Sequence, residues 1–112
     1  MANQTESTET ATAVREIEGE SEFDSILESE ARVLVDFYAD WCGPCQMMEP
    51  TMEAVSNAID APVVKVDIDA FPQIAARFNV SSIPTVIGFE QGEPAGRLIG
   101  VQDADSVQQL VV

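Results

Sequence analysis

The chain has no histidine, a single lysine and only two cysteines among its 112 residues. Each shortage removes a class of chemistry. Zinc takes four ligands, typically Cys and His, and Cys42 and Cys45 supply two, so a structural zinc site would need a second copy of the chain. Five Lys+Arg stand against 20 Asp+Glu, for a formal net charge of -15. Phosphate recognition draws on Lys and Arg, so this balance excludes a nucleic-acid or anionic-membrane partner. No window reaches the roughly 18 uninterrupted apolar residues of a membrane span. The opening "MANQTESTETATAVREIEG" has neither a basic start nor an apolar run, so it does not read as a signal peptide and the chain reads as cytoplasmic.

The abundant charge is acidic. It is spread along the chain, and we read it as adaptation to molar intracellular salt, as in an extreme halophile. In dilute buffer such self-repulsion opposes the compact state, whereas near 1 M salt the Debye length falls to about 3 Å. The alternative is an ordinary acidic protein with an acidic tail.

A hydrophobic fraction of 46% over this length suffices for one core and one domain. Residues 1–12 are rich in Ser, Thr, Glu and Ala with no periodic apolar pattern, which predicts a disordered acidic tail ahead of a domain over 13–112. "AVREI" predicts a short strand. Ser21 with Asp24 predicts a capping box opening a helix over "EFDSILESE". "RVLVDFYA" is β-branched and aromatic, apolar on both faces except at Asp36, as in a central strand covered on both sides.

Met48, Met52, Val55 and Ile59 recur at helical intervals after Cys42, with Pro50 inside the helix as a kink. "PVVKVDID" predicts a second buried strand. "FPQIAARFN" predicts a short helix with Pro72 in its first turn and Asn79 as its stop. "TVIGFEQGEPAGRLIG" predicts two strands joined at Gln91-Gly92, and "DADSVQQLVV" a short closing helix. Together these give an α/β fold, a central mixed sheet with helices on both faces.

Two cysteines at i and i+3 on the first turn of a helix are close enough to form a small disulfide ring. Cys42, at the helix N-terminus, meets unsatisfied N–H groups and the positive end of the dipole, which favour thiolate. Cys45, one turn inside among apolar residues, is expected to stay a thiol. The asymmetry makes Cys42 the attacking nucleophile and Cys45 the resolver. Gly43 and Pro44 between them carry no charge, so nothing there stabilises the reduced pair and it leans toward a reductant. A carboxylate in an otherwise apolar strand, as at Asp36, is expected to be desolvated and its pKa raised into a range useful for acid–base work.

"WCGPC", with "VDFYA" before it and "SIPT" after it, closely resembles the thioredoxin family, and the resemblance covers nearly all of 13–112. It implies the thioredoxin fold and a thiol–disulfide oxidoreductase that reduces disulfides in client proteins and is recharged by a thioredoxin reductase. It implies a monomer without cofactor or metal, because the cysteine pair itself carries two electrons. Carried over by residue, Cys42 attacks the substrate and Cys45 releases it. Asp36 matches the buried carboxylate that exchanges a proton with Cys45, and Lys65 the lysine beside that carboxylate. Pro84 matches the cis proline facing the disulfide, with Ile83 lending its backbone to substrate. Trp41 matches the indole shielding the site, Gly43 and Pro44 the residues between the cysteines, and Gly100 with Val101 the loop that completes the substrate groove. Gly92 and Pro50 match structural positions.

The chain departs from the pattern in places. Gln46 stands where a basic residue is common, Ser82 where glycine is frequent, and Asp40 and Glu49 place negative charge near the cysteines. These are expected to disfavour the Cys42 thiolate in dilute buffer, an effect that salt screens. Two other readings stay open at this point: a non-catalytic binding or chaperone-like module on the same scaffold, and a disulfide oxidase or isomerase.

Overall fold

The computed structural model describes residues 13–111. The expected tail over 1–12 lies outside them. Five strands form one sheet: β1 Val14–Glu16, β2 Arg32–Tyr38, β3 Val63–Asp67, β4 Thr85–Glu90 and β5 Glu93–Ile99, in the order β1-β3-β2-β4-β5. β1, β3 and β2 run parallel, while β4 is antiparallel to β2 and β5 antiparallel to β4. The helices are α1 Glu20–Ser29, α2 Gly43–Ala58, α3 Pro72–Arg77 and α4 Ala104–Gln108, followed by a 3-10 turn Gln109–Val111.

The period of two in β2 sorts the core. Val33, Val35 and Phe37 enter one cluster with Phe23 and Leu27 of α1 and Ile74 of α3. Leu34 enters the other with Met48, Met52 and Val55 of α2 and Val107 of α4. Asp36, two residues on from Leu34, therefore faces the α2 side. On the first face Phe23, Phe37, Phe78 and Phe89 pack edge-on or tilted, with Phe78 and Phe89 at 5.1 Å between centroids.

Local chemistry sets the boundaries. Gln91 and Gly92 both have positive φ, 54° and 80°, as a two-residue hairpin turn demands. Asn79 takes the left-handed conformation (φ 57°) just past α3, where a helix stop is expected. The expected capping box at Ser21 does not form. α1 begins two residues earlier, Gly19 is its cap residue without a side-chain bond, and Glu22 instead accepts the Glu18 N–H at 2.7 Å. A carboxylate already serving this end, and drawn further by Arg15 at 2.6 Å, leaves Ser21 no role there. At the other end of the chain Asp103 caps α4 by accepting from the Ser106 N–H at 2.8 Å.

Candidate active site

β2 ends at Tyr38 and a short turn delivers Cys42 to the start of α2. Cys42 is the cap residue itself, in extended backbone, and Pro44 sits in the first turn, where its missing N–H costs nothing. Cys42 and Cys45 are joined by a disulfide with Cα atoms 5.2 Å apart. The Cys45 N–H donates to Cys42 Sγ at 3.2 Å, the kind of contact that stabilises a thiolate once the bond is reduced. Gly43 and Pro44 are exposed, whereas both cysteines are buried with Tyr38 and Ala39.

Ile83 and Pro84 come from the loop before β4 and share a cis peptide bond. The Ile83 carbonyl oxygen lies 3.9 Å from Cys42 Sγ. Pro84 accepts the Gly100 N–H at 2.8 Å, which ties the loop after β5 to the same edge; Gly100 itself has φ 89°, a value suited to glycine. Trp41 is 70% exposed and is held by its Nε1–H donating to Asp69 Oδ2 at 2.8 Å. Met47, Ile99 and Val101 are also exposed large apolar side chains. Trp41 precedes the disulfide, and Ile99 and Val101 flank Gly100, which is bonded to Pro84, so exposed apolar side chains lie on the side of the sulfurs that Ile83 and Pro84 form.

Asp36 is 3% exposed, and its Oδ1 lacks a partner among the protein groups. Burial pushes its carboxyl up to about 7; Lys65 opposes the rise, and Glu49 and Glu16 add to it. It lines a cavity of about 220 Å³ with Lys65, Glu16, Glu49, Glu53 and Met52. Lys65 faces Asp36 in the parallel β2–β3 register. Its ammonium, however, lies 3.9 Å from Glu49 Oε2 and 4.3 Å from the centroid of the Tyr38 ring. Glu49, expected near the cysteines, is thus turned toward Lys65 and the Asp36 cavity. Gln46 folds back to donate to the Asp40 carbonyl at 2.9 Å.

The fold brings Trp41, Cys42, Cys45, Ile83, Pro84 and the Gly100 loop to one edge, with Asp36 and Lys65 behind them on the α2 side. Three contributors escaped the sequence reading: Asp69, Glu16 and Tyr38, whose contacts join residues distant in the chain. Among the described residues no cluster of His, Cys, Asp or Glu is arranged to hold a metal ion, and no helix is long and apolar enough to cross a membrane.

The thioredoxin family profile matches residues 14–112. A thioredoxin of Staphylococcus epidermidis is 42% identical over 94 residues, covering 82% of this chain and 89% of that protein. A thioredoxin-like protein of Synechocystis is 51% identical over 83 residues, covering 71% of this chain and 79% of its own. Among solved structures, a substituted thioredoxin from Halobacterium salinarum superposes with a TM-score of 0.84 at 38% identity, over 90% of this chain and 89% of that one. A sheet of this order, a CxxC pair at a helix N-terminus and these relatives agree: the chain belongs to the thioredoxin family, thiol–disulfide oxidoreductases whose redox pair here is Cys42–Cys45.

Proposed function

We propose that this protein is a cytoplasmic, monomeric protein-disulfide reductase that works in molar salt, takes electrons from a thioredoxin reductase and passes them to client disulfides. The observation that carries the chemistry is the Cys45 N–H directed at Cys42 Sγ on the first turn of α2. In the reduced protein the Cys42 thiolate attacks one client sulfur, forming a mixed disulfide and releasing the other as a thiolate that takes a proton from water. Asp36, as carboxylate, accepts the Cys45 proton. The Cys45 thiolate then attacks Cys42 Sγ, the mixed disulfide breaks, and the second client sulfur leaves as a thiolate and is protonated. Two electrons have moved from the dithiol to the client, and the Cys42–Cys45 disulfide remains for the reductase. No further cofactor is required.

Ile83 offers backbone to an extended client segment beside the disulfide, and Trp41, Val101 and the Gly100 loop supply apolar contact. Gly43 and Pro44, exposed between the cysteines, lie against the client. Lys65 moderates the charge of Asp36. The salt reading is supported by the net charge of -15 and by a structural relative from Halobacterium. The test is dithiothreitol-coupled reduction of a protein disulfide in molar KCl. Wild type should turn over and Cys42→Ser should fall to the uncatalysed rate; a folded wild type that is equally inert would favour a binding module instead.

A further inference from the structure

Asp36, whose Oδ1 is buried without a partner, lines one cavity with Lys65, Glu16, Glu49 and Glu53. These groups come from every element packed there: Glu16 from β1, Lys65 from β3, Glu49 and Glu53 from α2. Tyr38 adds its phenol from β2 itself. The register puts Lys65 directly across from Asp36, so a buried carboxylate has an ammonium within reach. Yet the ion pair Lys65 makes among the described residues is with Glu49. Its other neighbour is the face of Tyr38, whose hydroxyl donates to Glu16 and fixes the ring.

An ammonium seated on a buried carboxylate holds it ionised and makes it a poor proton acceptor. The Lys65–Glu49 pair is long, and the Glu49 side chain is 54% exposed, so it contributes little to stability. Its effect lies in where it leaves the lysine charge. We propose that Glu49 is a positioning residue that holds the Lys65 ammonium at the mouth of the cavity, against Tyr38, and so keeps the Asp36 carboxyl free to gain and lose a proton. This rests on the reading of Asp36 as the acid–base partner of Cys45. The direction in which burial, Lys65, Glu49 and Glu16 each move Asp36 agrees with it.

The test is direct titration of the Asp36 carboxyl by ¹³C NMR, on the folded oxidised chain in KCl, in wild type, Glu49→Gln, Lys65→Met and the double variant. Glu49→Gln should lower the Asp36 midpoint by about one pH unit, because the lysine is released onto it. With Lys65 already replaced, the same change should move the midpoint far less. No shift in Glu49→Gln overturns the proposal, and so does an equal shift with and without Lys65, which would mean that Glu49 acts through its own charge alone. Turnover of Asp36→Asn against pH separates the two readings. A wild-type profile there would remove Asp36 from the mechanism, while the titrations would still decide where Glu49 holds the lysine.

Discussion

Replacing Asp36 by Asn should stabilise the protein by an amount that grows as pH rises from about 4 and levels off above about 7. The carboxyl titrates at about 7 in the folded chain against an ordinary 3.8. Below 3.8 both folded and unfolded states hold the proton and nothing is lost. Between 3.8 and about 7 the unfolded carboxyl ionises while the folded one does not, so stability falls as pH rises; above about 7 both are ionised and the full cost is reached. At 1.36 kcal/mol per pH unit the gap amounts to about 4 kcal/mol, a large part of a small domain's stability. Asparagine keeps the shape and cannot ionise, and any cost of burying its amide is the same at every pH. Urea unfolding of the oxidised proteins in molar KCl reads the effect. At roughly 1–3 kcal/mol per M, the Asn variant should gain more than 1 M in midpoint over wild type between about pH 4 and pH 9. A difference between the two proteins that stays flat over that range would refute the claim that Asp36 is desolvated.

Two further outcomes follow from other parts of the molecule. A Cβ at Gly88 would come within 2.6 Å of the Leu110 carbonyl oxygen and 2.9 Å of Leu110 Cβ, so Gly88→Ala must push the C-terminal turn off the sheet. It should cost about 1–3 kcal/mol, and an unchanged melting temperature would show that the turn gives way freely. Raising KCl from dilute to molar should lower the titration midpoint of the Cys42 thiol, followed by thiolate absorbance in reduced, folded protein, as Asp40 and its acidic neighbours are screened. Identical midpoints at both salt levels would remove the electrostatic part of the salt dependence.

Features set by neighbours in sequence were legible before any coordinates. The alternation of β2, the helical spacing of Met48, Met52 and Val55, the Gln91-Gly92 turn and the stop at Asn79 all depend on backbone preferences within a few residues. The cysteine pair was legible for the same reason, since one helical turn spans it. Ser21 was misread because an N-terminus offers several competing acceptors, and the longer Glu22 carboxylate reached back to Glu18 first. The surroundings of Asp36 were out of reach for a different reason. Glu16 meets Tyr38 only because β1 and β2 flank β3 and the phenol reaches across it, and Glu49 meets Lys65 only through the way α2 crosses the sheet. No local pattern encodes such a meeting.

The central claim is the division of labour between Cys42 and Cys45. It is tested most directly by mixing reduced Cys45→Ser and Cys42→Ser proteins with a disulfide-bonded client in molar KCl and identifying the products by mass spectrometry. The Cys45→Ser protein should accumulate a mixed disulfide through Cys42, and the Cys42→Ser protein should remain free. A folded Cys45→Ser protein that forms no adduct, or a Cys42→Ser protein that captures the client through Cys45, would contradict the account.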